Sequence, residues 1–359
     1  MDAKLENVQA LLTWYRAGKR DLPWRKTKDP YPIWISEIML QQTRVESVKG
    51  YYARFLSLFP TVTQLAAAPQ EQVLKVWEGL GYYSRARNLQ KAAKIIVTEL
   101  DGKFPSSYIE LLRLPGIGAY TAGAIASIAF GERVPAIDGN VNRVASRFFG
   151  IREDIGSPKI QKEIRTLISE SLPSQNVGDY NQGLMELGAT LCIPRTPKCC
   201  LCPWQNRCDA YAEQDAELLP IHEKKRPPKP VDIAVCLLTC KNQILVVRRS
   251  QRLLQGLYVF PLLEEESSPT AAQALLSEQG LECTFSSYMG TARHIFTHRI
   301  WQMSIFHFFL DQPPAPDALK ALKGQMLHIH DLTALPFPSA MKVPSEKALS
   351  LENFLSPEE

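Results

Sequence analysis

Apolar residues recur at helical spacing through most of the first part of the chain. Residues 5–18 carry such a stripe, and the pattern resumes over residues 32–59 with an interruption near Gln42. Further helical patterns cover residues 61–101, 158–172 and 179–191, with breaks at Pro69 and at residues 79–81. A repeat of about 3.6 residues turns one face of each helix towards a core. Since no strand pattern is present, this part is predicted to be all-α.

The period changes beyond residue 230. Two apolar runs joined by a Lys241-Asn242 turn predict a β-hairpin, and a short helix (TAAQALLSEQGL) and a strand (HRIWQMSIFHFFL) follow. This part is predicted to be α+β. Residues 218–232 are rich in proline and lysine, which is typical of a semi-extended linker. We therefore predict an N-terminal domain over residues 1–217 and a C-terminal domain over residues 233–359.

Length and charge fit this division. A chain of 359 residues favours two domains. Residues 1–222 contain 27 Lys and Arg against 23 Asp and Glu, whereas residues 223–359 contain 14 of each. The basic excess of the first part suits a polyanion partner. Because the sequence lacks a membrane-spanning run and the apolar core of a signal peptide, we expect no membrane partner and an intracellular protein with reduced thiols.

Residues 114–147 combine a glycine-rich turn with a candidate helix cap. Pro115 ends one helix, and Gly116 and Gly118 allow a tight turn into the next. Such a turn aims backbone N–H groups at one point, which suits a phosphate; a plain packing corner is the alternative. Asp138 is predicted to cap the following helix, a position that keeps a carboxylate ionised.

Two other segments suggest chemistry. Glu37 lies among apolar residues in ISEIMLQQTRV, and a carboxyl group in such surroundings has a raised pKa and can donate a proton. An exposed glutamate on an amphipathic helix is the alternative. Residues 79–89, GLGYYSRARNL, place two aromatic residues between glycines and arginines. That arrangement suits insertion into nucleic acid, with a buried tyrosine pair as the alternative.

Four of the eight cysteines form a compact set in a proline-punctuated loop. They are Cys192, Cys199, Cys202 and Cys208, separated by six, two and five residues. Four thiolates so close in sequence indicate a metal site, either zinc or an iron–sulfur cluster. The remaining cysteines are predicted to be free thiols; they are Cys200, Cys236, Cys240 and Cys283.

Together these segments resemble the adenine DNA glycosylase (MutY) family of the endonuclease III, or helix-hairpin-helix, superfamily. The resemblance rests on ISEIMLQQTRV, on LPGIG followed by VPAIDGNV, and on the cysteine spacing, and is strongest over residues 1–210. It implies a helix-hairpin-helix domain whose turn, at Gly116 and Gly118, grips a DNA phosphate. It also implies a structural [4Fe–4S] cluster on the four cysteines, in a loop over residues 192–208.

The resemblance assigns catalysis to two carboxyl groups. Glu37 would protonate the adenine to be removed, and Asp138 would stabilise the sugar cation. Tyr120 and Asn140 would position the anion or the intermediate. Tyr120 stands where endonuclease III has a lysine that forms a Schiff base with the sugar. Because tyrosine cannot form one, the resemblance implies a glycosylase without obligatory strand nicking.

Further DNA contacts follow from the same resemblance. Gln42 would enter the duplex from one side. Leu80 and Tyr82 would form the wedge that fills the stack where the adenine leaves. Trp24 and Arg25 would line the adenine pocket.

The C-terminal part resembles, more weakly, the Nudix-like (MutT-like) domain of the same family. Its helix lacks the Arg-Glu and the glutamate pair that hold Mg²⁺ in a Nudix hydrolase; Glu278 alone remains near the expected place, and residues 264–266 are interpreted as a solvated loop. Phe296-Thr297-His298 resembles the Phe-Ser-His loop that reads 8-oxoguanine. Thr297 keeps the hydroxyl of the family serine. We therefore expect lesion recognition rather than pyrophosphate hydrolysis.

The predicted function is a monofunctional repair glycosylase. It would flip out adenine opposite 8-oxoguanine or guanine and hydrolyse the N-glycosidic bond. By the resemblance it would act as a monomer on double-stranded DNA, in the bacterial cytoplasm with the nucleoid. Three alternatives stay open: a related glycosylase for oxidised pyrimidines or mismatched thymine, a non-catalytic DNA-binding scaffold, and a phosphohydrolase led by the C-terminal domain.

Overall fold

The computed structural model describes residues 3–223 and 227–353. It divides into two compact units. Unit 1 comprises residues 1–68 and 88–225, and unit 2 comprises residues 69–87 and 226–359. Residues 69–87, here called the inserted segment, therefore group with the C-terminal part of the chain. The sequence patterns did not predict this grouping.

Helices alone make up the regular structure described before residue 223. In chain order they are α1 (Ala3–Gly18), α2 (Pro30–Leu40), α3 (Val45–Leu58), α4 (Val62–Ala67), α5 (Gln70–Val76), α6 (Ser84–Glu99), α7 (Tyr108–Leu111), α8 (Ala119–Ala129), α9 (Gly139–Phe148), α10 (Pro158–Ser171), α11 (Val177–Thr190) and α12 (Asp209–Ala212), with 3-10 turns at Pro23–Arg25, Cys199–Leu201 and Gln205–Arg207. The predicted break near Gln42 is confirmed, as are those at Pro69 and residues 79–81.

Unit 1 has a core built on α1, α9, α10 and α11. Leu11, Val144, Ile164 and Leu184 from these helices are buried together. Beside this core, α2 packs against α3 and α8. Because apolar residues cover nearly the whole surface of α2, the helix is buried almost all round. This burial carries Glu37, which lies in the middle of α2, into the interior.

Unit 2 combines a mixed sheet with helices, in agreement with the predicted α+β class. Its elements after residue 227 are β1 (Lys229–Cys240), β2 (Gln243–Arg248), β3 (Tyr258–Val259), β4 (Leu262–Glu264), α13 (Pro269–Glu278), β5 (Cys283–Ile295), β6 (Arg299–Leu310), α14 (Pro316–Leu322), β7 (Gly324–His328) and α15 (Lys342–Ser350). The strand order is β3-β2-β1-β6-β5, with β4 paired to β1 and β7 paired to β2. β1 runs parallel to β6, and the other pairs are antiparallel.

The central strand β1 is buried on both faces. Ile233, Val235 and Leu237 face one core. Ala234, Cys236 and Leu238 face the other. This position explains why the strand reads as a continuous apolar run rather than as an alternating pattern.

The connection between the two parts is shorter than the predicted linker. Leu219 is buried in a small cluster with Ala210 and Ala216, Ile221 bridges to Asp154, and β1 already begins at Lys229. Both ends of residues 218–232 are therefore part of ordered structure, because Leu219 is buried and residues 229–232 pair with β6, although most of the other side chains there are exposed. Residues 224–226 of the predicted linker lie outside the described residues. Within the described ranges, no helix has the length and apolarity needed to cross a bilayer.

Candidate active site and DNA-contacting residues

A cavity of about 1450 Å³ lies in unit 1. Glu37, Tyr120, Asp138 and Asn140 all line it. The four candidate catalytic residues come from three helices, α2, α8 and the start of α9, yet they share one space. Trp24, Arg25, Gln42 and Gly118 line the same cavity.

Glu37 is held in the interior by α2. Asp29 caps this helix, since its carboxylate accepts the Tyr31 N–H at 2.9 Å, and Glu37 is 5% exposed. Burial raises the pKa of Glu37 to about 7, an effect that the Tyr120 hydrogen bond opposes and Asp138 reinforces. The raised pKa predicted from sequence is confirmed.

Tyr120 is the donor that meets Glu37. It is the second residue of α8, and its hydroxyl donates to Glu37 Oε2. The Tyr120 hydroxyl oxygen also lies 3.7 Å from Met185 Sδ. Burial raises the pKa of Tyr120 well above its ordinary value, and the neighbouring carboxyl groups add to the effect. Tyr120 therefore keeps its proton and serves as a fixed hydrogen-bond donor.

Asp138 caps α9 as predicted. Its Oδ1 accepts the Val141 N–H at 2.7 Å, and its Oδ2 accepts Asn140 Nδ2 at 2.9 Å. Burial raises the pKa of Asp138 above its ordinary value, although these bonds and the charge of Arg143 pull it down. The sequence predicted that this position at the start of a helix keeps the carboxylate ionised. The cap and Arg143 do favour the charged form, but desolvation is the larger effect, so the net shift of the Asp138 pKa is upward. Ionisation of Asp138 stays a prediction.

Arg143 joins the Asp138 region to the cysteine loop. Its Nη2 donates to Asn140 Oδ1 and to the Gly188 carbonyl, each at 2.8 Å. Its Nε donates to the Cys192 carbonyl at 2.7 Å. One guanidinium therefore fixes Asn140, α11 and the start of the cysteine loop. The sequence analysis did not identify Arg143, because its partners lie on three separate segments.

Glu186 is a further candidate that the sequence patterns did not show. Its carboxylate, 1% exposed, lies 2.7 Å from both Arg20 Nη2 and Arg25 Nη2, and all three residues line the cavity. Burial opposes its ionisation, but the hydrogen bonds and charges of the two arginines lower the pKa of Glu186 to about 2. The residues that line the cavity thus include an ionised carboxylate, Glu186, and a carboxyl group that titrates near neutrality, Glu37.

The two glycines of the predicted DNA-binding turn have different roles. Gly116 has a φ of +79°, and a Cβ there would lie 2.6 Å from Asn88 Cβ, so the fold itself requires glycine. Gly118 caps α8 with an ordinary φ of −92°, and a Cβ there would meet nothing within 4 Å. Gly118 therefore leaves open space at the N-terminus of α8, where an anion can approach the backbone N–H groups.

Gln42 also stands in an unusual backbone conformation. Its φ is +57°, and its side chain is exposed at the cavity. A non-glycine residue in the left-handed region is strained and persists where the surroundings fix it. The adjacent Gln41 supplies one such restraint, because its Nε2 donates to Thr121 Oγ1 at 3.2 Å.

Unit 2 brings two other predicted DNA-contacting segments together. Tyr82 has a φ of +48° and is 50% exposed, and its hydroxyl lies 3.4 Å from Thr297 Oγ1. Thr297 and His298 are exposed at the tip of the β5–β6 hairpin. Leu80 is only 6% exposed, because packing removes its apolar side chain from water. Tyr82 rather than Leu80 thus presents an exposed side chain. The wedge role of Leu80 stays a prediction.

The acidic side chains of the C-terminal part have only partly the surroundings that were predicted. Glu278 is exposed at the end of α13. Glu264, interpreted from sequence as part of a solvated loop, instead pairs with Arg249 at 2.7 Å and with Arg299 at 3.0 Å. Glu264 is exposed as interpreted, but it ends strand β4 rather than lying in a loop, and it is the partner that the buried Arg249 guanidinium requires.

The cysteine loop gathers the four predicted ligands. Burial, with smaller contributions from the other three thiols of the set, raises the pKa of Cys202 to about 12. Arg147 Nη1 donates to Cys192 Sγ at 3.3 Å. Thiols are soft donors, the ligand type that zinc and iron–sulfur clusters use, and a cation lies beside one of these four. Within residues 3–223 and 227–353, no group of three or more His, Cys, Asp and Glu side chains has the arrangement of a site for one metal ion.

Comparisons with known proteins match two regions of the chain. Residues 35–170 match the family model described as HhH-GPD superfamily base excision DNA repair protein. Residues 234–344 match the NUDIX domain model. Among solved structures, a thermostable thymine-DNA glycosylase is 31% identical with a TM-score of 0.54, over 58% of this chain and 97% of that chain. Endonuclease III in a trapped covalent complex with DNA is 22% identical with a TM-score of 0.51, over 60% and 99%, a likeness of fold.

Two curated relatives cover most of the chain. The adenine DNA glycosylase of Buchnera aphidicola subsp. Schizaphis graminum is 39% identical over 255 residues, which are 70% of this chain and 74% of that protein. The adenine DNA glycosylase of Mus musculus is 36% identical over an alignment that covers 86% of this chain and 71% of that protein. The predicted fold, a helix-hairpin-helix glycosylase region followed by a Nudix-like domain, is confirmed.

Proposed function

This chain belongs to the adenine DNA glycosylase family, and we propose that it removes adenine paired with 8-oxoguanine or guanine in double-stranded DNA. It is a DNA glycosylase of base excision repair that excises adenine. The observation that carries the proposal is the cavity that Glu37 and Asp138 share, with the pKa of Glu37 at about 7. We further propose that it acts as a monomer, and that its place is with the chromosomal DNA in the cytoplasm.

The proposed reaction uses the two carboxyl groups in opposite ways. Glu37, which has a pKa of about 7 and is therefore about half protonated at neutral pH, donates its proton to a ring nitrogen of the flipped adenine. The bond between the sugar and the base then breaks, and its electron pair leaves with the neutral base. Asp138 in its ionised form stabilises the sugar cation, and water adds to the anomeric carbon and releases a proton. Tyr120 keeps the Glu37 carboxyl group oriented through its hydrogen bond.

Polar groups around the cavity suit the edge of an adenine. Arg25 carries N–H donors at the cavity, and the buried Glu186 carboxylate holds the Arg25 guanidinium in place. The ring nitrogens of adenine are acceptors. We propose that Arg25, fixed by Glu186, donates to a ring nitrogen of the adenine while Trp24 packs against the base.

The proposed preference for 8-oxoguanine depends on unit 2. The hydroxyl groups of Tyr82 and Thr297 lie close enough to contact one nucleotide together. His298 is exposed beside them. Each of these side chains carries hydrogen-bonding groups, and 8-oxoguanine differs from guanine by an additional N–H and a carbonyl. We propose that these residues recognise that difference.

The proposed enzyme acts without strand nicking. Among the cavity-lining residues in the described part of unit 1, none is a lysine, so a side-chain amine for a Schiff base is not at hand there. Borohydride is therefore expected to trap little covalent complex with substrate DNA. Efficient trapping would overturn this part of the proposal.

We propose that the four cysteines bind a [4Fe–4S] cluster. Cys192, Cys199, Cys202 and Cys208 supply four thiolates, and Arg147 offsets part of their negative charge. When bound, the cluster orders the loop that Arg143 connects to Asn140. The purified protein should be brown, with visible absorbance and about four irons per chain. A colourless protein with one zinc would refute this assignment.

One experiment tests the function against its alternatives. Single-turnover excision is measured on duplexes with A opposite 8-oxoguanine, A opposite guanine, T opposite guanine, and an oxidised pyrimidine. We expect excision from the first two duplexes, fastest with 8-oxoguanine. The T–guanine duplex is included because of the 31% identity to a thymine-DNA glycosylase. Excision of thymine or of the oxidised pyrimidine alone would favour a related glycosylase, and no excision from any duplex would favour a binding scaffold.

A further inference from the structure

The turn that presents Tyr82 is held at both stems by one residue of unit 2. Glu78 Oε1 accepts the backbone N–H of Phe337 at 3.2 Å. The Tyr83 hydroxyl donates to the backbone carbonyl of Phe337 at 3.3 Å. Residues 79–82, here called the wedge turn, lie between these two anchors. Both backbone hydrogen-bonding groups of Phe337 are therefore used by the inserted segment.

Phe337 is itself fixed. It is 7% exposed, and its ring stacks on that of Phe260 with centroids 5.4 Å apart. Phe260 is fully buried in the main core of unit 2. The anchor of the wedge turn is therefore continuous with this core. Lys75 adds a third contact, because its Nζ donates to the Leu335 carbonyl at 3.0 Å.

The wedge turn needs such an anchor because its backbone is unusual. Gly79, Gly81 and Tyr82 all have positive φ values, of +96°, +70° and +48°. For Tyr82 this conformation is strained and requires support from the surrounding structure. Tyr83 supplies part of this support, because its hydroxyl also accepts the Gly79 N–H at 3.4 Å. A single oxygen atom thus joins the first residue of the turn to Phe337.

We propose that Glu78 and Tyr83 are positioning residues, which hold Tyr82 beside Thr297 before DNA binds. This inference rests on the proposed role of Tyr82 and Thr297 in reading the nucleotide opposite the adenine. A pre-organised turn does not lose conformational freedom when it inserts, so the anchors strengthen binding of lesion-containing DNA. They do not touch the substrate themselves.

The test uses the full chain and four single substitutions. Tyr83→Phe removes only the hydroxyl, and Glu78→Ala removes the acceptor of the Phe337 N–H. Glu78→Gln keeps a side-chain oxygen that accepts this N–H. Tyr31→Phe is the matched control, because the buried Tyr31 hydroxyl also donates to a backbone carbonyl, that of Phe59, at 2.6 Å in unit 1.

Two measurements are made on each variant. The first is the affinity for a duplex with 8-oxoguanine opposite a 2′-fluoro-adenine nucleotide that resists cleavage, compared with an undamaged duplex. The second is the fluorescence rise of a 2-aminopurine next to the 8-oxoguanine, which reports unstacking by the wedge. We expect Tyr83→Phe and Glu78→Ala each to lower lesion-duplex affinity about tenfold and to reduce the fluorescence rise, with undamaged-duplex affinity unchanged. Glu78→Gln and Tyr31→Phe should behave like the unsubstituted protein.

A double substitution at Glu78 and Tyr83 completes the test. Because both residues act through Phe337, the second substitution should add little to the first. Wild-type affinity and fluorescence in both Tyr83→Phe and Glu78→Ala would overturn the inference, as would equal losses on both duplexes, which indicate a general loss of structure. If the unsubstituted protein excises no adenine, the proposed function fails instead, so the two failures are distinguishable.

Discussion

Glu37 and Asp138 differ in the groups that offset their burial. Asp138 accepts two hydrogen bonds from its own helix turn and lies near Arg143. Glu37 accepts one hydroxyl from Tyr120. Burial raises the pKa of both, but these donors oppose the rise more fully at Asp138. At the scale of single residues, the site therefore combines a carboxyl group that can carry a proton near neutrality with one whose anion is supported by neighbouring donors.

The rate of excision should follow the protonation of Glu37. Because the pKa of Glu37 is about 7 and its protonated form is the acid, the single-turnover rate should fall as pH rises above about 7. Glu37→Gln should lower the rate by about 10²- to 10⁴-fold while DNA binding is largely retained. The check is a pH profile of single-turnover excision beside a binding titration of the variant. A rate that rises steadily to pH 9 would remove Glu37 as the acid.

The same residue should make the protein less stable at high pH. Burial raises the pKa of Glu37 from 4.5 to about 7, so its contribution to folding is complete below about pH 4.5 and is lost as pH rises through 7. Glutamine stays neutral, so Glu37→Gln should stabilise the protein at pH 8 by up to about 3 kcal/mol and change little at pH 4.5. Urea unfolding at the two pH values measures this. Equal stability at pH 8 would contradict the raised pKa.

Asp138→Asn separates the cap from the charge. The amide oxygen of asparagine can still accept the Val141 N–H, so the unfolding temperature should change by only a few degrees. Excision should fall by at least about 10²-fold, because the anion that supports the sugar cation is gone. Thermal unfolding and single-turnover assays on the same preparation test both parts. Near-normal excision would remove Asp138 from the mechanism.

Sequence patterns identified some of these residues and not others for a physical reason. Glu37 was found because the apolar residues that bury it are its own neighbours on α2. Glu186 was missed because the side chains that ionise it are distant in sequence, Arg25 by 161 residues. The direction of the Asp138 pKa shift was also missed, because the local sequence predicts the cap but not the depth of burial. Local chemistry is legible in the sequence, whereas long-range pairing and desolvation depend on the completed fold.

At the scale of elements, two helices begin at the cavity. α8 starts after Gly118, and α9 starts after Asp138. The positive dipole end of α9 supports the Asp138 carboxylate, and that of α8 has no acidic side chain in its first turn. The α8 terminus is therefore suited to a phosphate of the DNA backbone. The glycine-rich turn and the candidate cap at Asp138 predicted the starts of both helices.

Alanine substitutions at the two glycines should affect different properties, the stability of the fold at Gly116 and DNA binding at Gly118. Gly116→Ala should destabilise the fold by about 1–3 kcal/mol, because its φ is +79° and the new Cβ would crowd Asn88. Gly118→Ala should leave stability nearly unchanged, because its φ is ordinary and the space is open, but it should weaken DNA binding by obstructing the phosphate. Urea unfolding and duplex binding of both variants test this. A Gly118→Ala protein with full DNA affinity would argue against a phosphate at α8.

Arg143→Ala should disturb α9, α11 and the cysteine loop together. The substitution leaves three acceptors without their donor, those of Asn140, Gly188 and Cys192. We expect a stability loss of about 2–4 kcal/mol and at least a tenfold slower excision. Arg143→Lys should recover only part of both, because an ammonium lacks the planar fork. The assay is run well below the unfolding temperature, and a normal rate there would show that Asn140 does not depend on Arg143.

At the scale of the whole molecule, the two units are interleaved in the sequence. The chain leaves unit 1 after residue 68 and returns to it at residue 88, and the inserted segment lies between these two points. Within unit 2 its contacts include the hydrogen bonds of Glu78 and Tyr83 to Phe337 and that of Tyr258 to Glu71. Composition and periodicity predict a helical first part and an α+β second part. They do not show that a short stretch of the first belongs with the second, because its partners there are more than 160 residues away.

Removal of residues 227–359 should therefore affect more than lesion recognition. The cavity-lining residues all lie between Arg20 and Glu223, so adenine excision should remain measurable. The inserted segment would lose its partners, so the truncated chain should unfold at a lower temperature and should distinguish 8-oxoguanine poorly from guanine. Thermal unfolding and the two adenine duplexes test this. Full discrimination by the truncated chain would contradict the role assigned to unit 2.

The interleaved order of the chain also constrains how such a protein can evolve. A break in the gene at the proline-rich connection would separate two polypeptides, and one of them would retain nineteen residues suited to the other. Exchange of the C-terminal region for that of a distant homologue would bring Phe337 and its surroundings into a foreign pairing with Glu78 and Tyr83. We expect functional chimaeras only where the inserted segment and the C-terminal region come from the same parent. Recombination libraries can score this by how far each chimaera lowers the mutation rate of a mutator strain.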